Sequence, residues 1–250
     1  MRGYSAVVNL RTVVRNVAGR FGYLTRVVTT ESVVALTFDD GPDPVSTPAL
    51  LDVLARRGAH ATFFLDGPAA ERSPALVHRI QLEGHAIGLH GWGHMSAAHD
   101  PKMRRLRPQL RDIRHGAKAV GLRSKLYRPP YGHESLWTRP AAWLLGYRLV
   151  YWNVSVEDWN VSPPDQLADR IYGEMSPGAI ILLHDRLRHA EDSDAFDRRY
   201  LVDAVDQVLA RVAEDVQFVT VPELLARGTP IVRHRHREAS PLAPMVEQRA

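Results

Sequence analysis

The chain of 250 residues contains no cysteine. That excludes disulfides, thiolate metal sites and cysteine nucleophiles together, yet says little about compartment, because secreted proteins also do without cysteine. Lysine is scarce as well: Lys102, Lys118 and Lys125 are the only three, and the other 29 basic residues are arginine. Long apolar runs are missing. No stretch approaches the ~18 apolar residues of a membrane span, and Asn9, Arg11, Arg15 and Asn16 interrupt any signal-peptide core near the start. The expectation is a protein that is cytoplasmic or peripheral to the membrane. Any metal it binds must be held by His, Asp or Glu.

What is present reads as a globular domain. Hydrophobic residues make up 45% and charged residues 24%, enough for a sizeable core in one large domain or two small ones. Lys and Arg total 32 against 28 acids, a net charge of +4. Nine basic residues fall between Lys102 and Lys125, with Asp112 as the only acid. Such a strip is either a solvated helix face or a contact for an anionic polymer or membrane surface. It lacks interleaved aromatics, so nucleic acid is not an expected partner. Residues 6–24 place Leu10, Val13, Val14, Val17, Phe21 and Leu24 on one helical face. The domain expectation is therefore an amphipathic N-terminal extension over 1–30, a catalytic domain over 31–230 and a disordered tail over 231–250.

Within 31–230, short apolar runs alternate with helical patterns. Strands are predicted at Val33–Phe38, Ala61–Leu65, Ala86–Leu89, Leu126–Arg128, Tyr147–Trp152, Ala179–Leu183 and Gln217–Val219. A helix opens at Ser46-Thr47-Pro48, with Thr47 as N-cap, and closes at Gly58; another runs from Ser73-Pro74 to Gly84. Further helices are predicted near 103–120, 134–145, 165–175, 199–213 and 221–227. Seven strands alternating with helices predict a parallel α/β barrel or a doubly wound sheet.

Chemistry gathers at the strand ends. The first strand ends in Thr37-Phe38-Asp39-Asp40-Gly41-Pro42, where a sharp Gly-Pro turn could re-aim both carboxylates to one side. Such a pair suits a metal ligand beside a general base. After the third strand, His90-Gly91-Trp92-Gly93-His94 puts two histidines four apart, in reach of one ion if the segment makes a helical turn. Alone, the first motif is also a common turn, and two such histidines are often structural. Together, Asp40, His90 and His94 are the best ligand set in a chain without cysteine. Tyr127-Arg128-Pro129-Pro130-Tyr131-Gly132, Trp152 to Trp159, and Ile180 to Asp185, which carries His184, add an arginine, acids and a histidine just past other strands. Five such ends on the C-terminal side of a parallel sheet predict one convergent pocket.

These five segments, in order over about 31–230, resemble the polysaccharide deacetylases of the NodB-homology type, carbohydrate esterase family 4. The resemblance implies a distorted (β/α)7-type barrel, the glycoside hydrolase/deacetylase barrel, and metal-dependent removal of N-acetyl groups from amino sugars. It implies Asp40, His90 and His94 as ligands of a divalent ion, Zn²⁺ first and Co²⁺ second. Asp39 is then the general base, Arg128 its orienting partner, the Tyr131 backbone N–H an oxyanion donor and His184 the general acid. Leu182, Trp159 and Asp158 are expected on the substrate side.

Two positions depart from the family pattern. Gly91 stands where Ser or Thr usually follows the first histidine, and Ser155 stands at the first acid of the usual Asp-x-x-Asp-Trp. The second departure predicts an acid histidine weakened by loss of its carboxylate, unless Glu157, Asp158 or Asp185 substitutes. The leading expectation is an N-deacetylase of an oligo- or polysaccharide resembling chitooligosaccharide or peptidoglycan. The alternatives are a deacetylase or deformylase of a lipid-linked, nucleotide-linked or antibiotic amino sugar, and a catalytically impaired carbohydrate-binding protein.

Overall fold

A strand whose seven residues are all buried must be covered on both faces, and Val33–Asp39 is such a strand in the computed structural model. The structure describes residues 21–121, 125–190, 192–212 and 214–234. Ten strands occur among them: β1 (Tyr23–Val28), β2 (Val33–Asp39), β3 (Ala61–Leu65), β4 (Ala86–Leu89), β5 (Leu126–Tyr127), β6 (Arg148–Val150), β7 (Val154–Ser155), β8 (Ile180–His184), β9 (Gln217–Phe218) and β10 (Thr229–Arg233). They hydrogen-bond in the order β10-β1-β6-β5-β4-β3-β2-β8-β7, with β9 beside β2. Every strand pair except β1–β10 is parallel. The run 148–155 pairs with β5 through its first part and with β8 through its last. It thereby connects β7, at one end of the path, to β6, third from the other end, giving the distorted barrel that the sequence predicts.

The helices are α1 (Ser46–Arg57), α2 (Gly67–Arg72), α3 (Pro74–Leu82), α4 (Leu106–Val120), α5 (Thr138–Leu144), α6 (Pro164–Glu174), α7 (Arg199–Arg211) and α8 (Val221–Ala226). Side-chain alternation along β2 sorts the core. Val34, Leu36 and Phe38 pack into a large apolar cluster with Leu50, Leu54 and Val205 of the helices. Val33 and Ala35 join a smaller cluster with Phe64, Leu126, Val150 and Ile180 inside the sheet. Thr37 and Asp39 continue that second face, so the barrel interior turns polar toward the strand ends.

The described body is wider than 31–230. Tyr23–Val28 is a strand between β6 and β10, so the helical spacing read through Leu24 does not extend past residue 20. Thr229–Arg233 is its antiparallel partner, so the expected tail does not begin at 231. The rest of the N-terminal and C-terminal expectations, 1–20 and 235–250, lies outside the described residues. Thr47 is not the N-cap of α1. The helix starts at Ser46, and the Thr47 hydroxyl instead donates to Asp185 and accepts from the Asp43 N–H at 2.7 Å. Gly58 closes α1 in the left-handed conformation, as expected. No helix among the described residues is long and apolar enough to cross a membrane.

The last helix shows a complete capping box. The Thr220 hydroxyl accepts from the Glu223 N–H at 3.3 Å, and the Glu223 carboxylate accepts from the Thr220 N–H at 2.8 Å. Thr220→Ala is expected to lower stability by about 1 kcal/mol, read from urea unfolding. An unchanged midpoint would show that the box is decorative.

Candidate active site

The inner face of β2 ends in a buried ion pair. Arg128 follows β5 and has no exposed surface. Its Nη1 donates to Asp39 Oδ1 at 2.7 Å and to the Thr37 hydroxyl at 2.8 Å. Its Nε and Nη2 donate to the carbonyls of Val150 and Tyr151, at 3.0 and 3.1 Å. The guanidinium lies 4.0 Å over the ring of Phe64. Thr37 passes the network on, donating to the Ile181 carbonyl at 2.6 Å. A lone buried carboxylate would be costly, and the Arg128 guanidinium, itself fixed by these other bonds, supplies Asp39 with a counter-charge and a set position.

Adjacent residues on a strand point to opposite faces, so a second carboxylate at the same spot needs a break in the backbone. Asp40 supplies it with φ of +72°, in the left-handed region. The re-aiming expected of the Gly-Pro turn therefore falls on Asp40 itself. Gly41 is required for a different reason: a Cβ there would lie 2.2 Å from the Asp185 carboxylate. Asp185 is buried at the end of β8, and burial pushes its carboxyl up to about 7, against the hydrogen bond from Thr47.

His90 and His94 come from the loop after β4. This segment is not the helical turn that their spacing suggests: Gly91 and His94 both have positive φ, +91° and +49°. The loop nonetheless brings both Nε2 atoms to Asp40 Oδ1, at 3.3 Å from His90 and 2.8 Å from His94. All three residues are buried, and their ligand atoms lie within 4.8 Å of one another. Asp40 Oδ1 makes no hydrogen bond of proper geometry despite those close nitrogens. A carboxylate oxygen and two imidazole nitrogens converging without donors between them suit a divalent cation. Burial opposes a charge on Asp40, but the two imidazoles hold its carboxyl well below the usual range. The other carboxylate stays nearby, Asp39 Oδ2 lying 3.8 Å from His90 Nδ1.

His184 closes β8. Its Nδ1 meets Asp158 Oδ1 at 3.0 Å, and its backbone N–H donates to Asp158 Oδ2 at 2.8 Å. Asp158 has no exposed surface and also receives Arg198, itself 2% exposed. Arg198 Nε donates to the His184 carbonyl at 2.9 Å, closing a buried knot. Burial works against a charged imidazole, but the Asp158 carboxylate outweighs it and raises His184 to about 8. Of the three acids expected as substitutes for the one missing at Ser155, Asp158 is the one that partners the histidine. One expectation is corrected. Asp158 in turn does not face substrate; it is sealed beneath His184. Glu157 does not substitute either, being exposed and bonded to Asn160.

The remaining predicted residues surround this centre. Leu182 sits on β8 in register with Thr37, two residues from His184 and on the same face. The Trp159 ring stands edge-on to His184 at 5.7 Å. Tyr131 has φ of +60°, and its half-exposed ring stands edge-on to His94 at 4.7 Å. His85 lies elsewhere: its Nδ1 accepts from the Ala61 N–H, and burial lowers it to about 4. Arg198 and the packing role of Asp185 were not read from the sequence. Asp185 adjoins His184 and was open to notice, whereas nothing in its spacing marks Arg198.

Residues 26–150 match the polysaccharide deacetylase family. The chain belongs to that family. It is 35% identical over 213 residues to a peptidoglycan-N-acetylglucosamine deacetylase of Bacillus cereus, covering 82% of this chain and 93% of the relative. A chitooligosaccharide deacetylase of Sinorhizobium fredii is also 35% identical, with 70% of this chain and 83% of the relative covered. Among solved structures, the peptidoglycan deacetylase PdaC from Bacillus subtilis superposes with a TM-score of 0.68 at 30% identity, over 80% of this chain and 93% of that one.

Two outcomes follow from the buried pairs. Arg128→Met, which strands Asp39 without a counter-charge, is expected to cost about 3–5 kcal/mol in urea unfolding; a cost under 1 kcal/mol would refute the pairing. In the metal-free protein, NMR is expected to find His184 titrating near 8. Asp158→Asn is expected to move that titration to lower pH. Stability contributed by the charged imidazole is then full below about 6.5 and lost as pH rises through about 8. A titration unmoved by the substitution would assign the shift elsewhere.

Proposed function

We propose that this polysaccharide deacetylase hydrolyses N-acetyl groups on amino-sugar residues of an oligo- or polysaccharide resembling chitooligosaccharide or peptidoglycan. The observation that carries this is the convergence of two proton-transfer groups, Asp39 and His184, in register on the neighbouring strands β2 and β8, beside a buried Asp-His-His ligand set. The relatives named as peptidoglycan and chitooligosaccharide deacetylases support the substrate class.

Asp40, His90 and His94 would hold the divalent ion, and their one-oxygen, two-nitrogen set favours Zn²⁺, with Co²⁺ as an alternative. When bound, such an ion supplies Lewis acidity, polarising the acetamide carbonyl and acidifying a water. The protein does the rest. Asp39, held by Arg128 through Oδ1, takes the proton of the attacking water on Oδ2. The Tyr131 N–H donates to the oxyanion that forms on the carbonyl. His184, kept protonated by Asp158, gives its Nε2 proton to the sugar nitrogen as the C–N bond breaks, so acetate and the free amine leave. Leu182 and Trp159 form the apolar wall for the acetyl methyl. The presence of both acid and base supports this reading over an impaired carbohydrate binder.

The exposed face of α4 carries Arg107, Arg111, Arg114 and Lys118, three to four residues apart. Their spacing supports a contact with an anionic polymer or membrane surface outside the catalytic groove.

Acetate release from acetylated chitooligosaccharides and peptidoglycan fragments tests the main reading. Chelation is expected to abolish it, Zn²⁺ or Co²⁺ to restore it, and Asp39→Asn to reduce kcat by ~10²–10⁴. Full activity after chelation, or in Asp39→Asn, would overturn the mechanism.

A further inference from the structure

The loop that presents both histidines has little regular structure of its own. Its start is tied by ordinary backbone bonds: the His90 N–H donates to the Leu65 carbonyl and the Gly67 N–H to the Gly91 carbonyl, both at 2.9 Å. In most metal sites, the second nitrogen of each imidazole is also held, by a carboxylate or carbonyl that sets the ring's angle. Here neither His90 Nδ1 nor His94 Nδ1 has a hydrogen-bond partner. The rings must therefore be aimed through the backbone that carries them.

Two side chains reach that backbone between the two histidines, Arg188 with one 3.5 Å bond to the Gly93 carbonyl and Asp112 with two shorter ones. Asp112 lies in the middle of α4 and is 7% exposed. Its Oδ2 accepts from the Trp92 N–H at 3.0 Å and its Oδ1 from the Gly93 N–H at 2.9 Å. No ion pair with Asp112 occurs among the described residues, so its carboxylate acts on those two amides rather than on a cation. A carboxylate inside a helix contributes nothing to apolar packing and loses hydration on burial. Its two well-aligned bonds to the metal loop are the compensation. One helical turn on, His115 stacks on Trp92, with ring centroids 3.7 Å apart and planes at 13°. Gly91 completes the fit. At φ of +91°, a Cβ there would come within 3.0 Å of Asp112 Oδ2. The hydroxyl that the family usually places at this position is thus absent exactly where the Asp112 carboxylate approaches the loop.

We propose that Asp112 is the positioning residue of the metal site: by fixing the amides of Trp92 and Gly93, it sets the aim of His90 and His94. Gly91 and Asp112 act as a pair, glycine leaving room for the carboxylate that steadies the loop from α4. The proposal rests on Asp40, His90 and His94 being the metal ligands.

Zn²⁺ titration calorimetry on the metal-free full chain tests it, alongside circular dichroism to verify folding. Asp112→Asn keeps the size but opposes one amide N–H with another, and is expected to weaken Zn²⁺ binding 10–100-fold while the protein stays folded. Gly91→Ala keeps the carboxylate but crowds it, and is expected to weaken binding in the same direction. It decides the question if Asp112→Asn does not fold. Binding within twofold of wild type in the folded variant would overturn the proposal. Asp40→Ala separates the two layers. If it binds Zn²⁺ as wild type does, the ligand assignment fails and the positioning role with it. If it loses Zn²⁺ while the Asp112 and Gly91 variants keep theirs, only the positioning role fails.

Discussion

The pair Arg128–Asp39 is the constraint on which the rest of the structure is arranged. Both partners are buried, and a guanidinium out of water must have its donors occupied. Arg128 occupies them with Asp39 and Thr37 of β2 and the carbonyls of Val150 and Tyr151 at the end of β6. One side chain therefore ties together three segments that lie far apart in sequence. The smaller apolar cluster ends where this network begins, with Phe64 beneath the guanidinium.

That division explains how two neighbouring aspartates take different parts. Asp39 keeps strand geometry and is held by arginine. Asp40 leaves the strand in a left-handed conformation and turns to the histidines. On the neighbouring strand, Asp158 and Arg198 do for His184 what Arg128 does for Asp39: a fully buried counter-charge holds the group in one orientation. Base and acid thus end neighbouring strands, Asp39 on β2 and His184 on β8 in register with each other, each braced by its own buried arginine.

Much of this was legible in the sequence, for a physical reason. Parallel strands buried on both faces give continuous apolar runs, and their C-terminal ends gather the polar residues, so Asp39, Asp40, His90, His94, Arg128 and His184 stood out at predicted strand ends. What escaped was set by geometry that sequence does not encode locally. The edge pair β1–β10 joins the two flanks of the described chain, and no local period announces a pairing across some 200 residues. The four-residue spacing of the histidines suggested a helical turn, whereas two residues at positive φ achieve the same convergence in a loop. Ser155 left the partner of His184 open among Glu157, Asp158 and Asp185, and only the fold reveals that Asp158 is the acid turned inward.

The account's central claim is that Asp39 stays with arginine and leaves metal binding to Asp40 and the two histidines. A crystal structure with Zn²⁺, phased or checked by anomalous scattering at the zinc edge, tests this most directly. The predicted result is one strong peak about 2.0–2.2 Å from Asp40 Oδ1, His90 Nε2 and His94 Nε2, with Asp39 still paired to Arg128. A zinc ion ligated by Asp39, or one placed away from these three atoms, would contradict it.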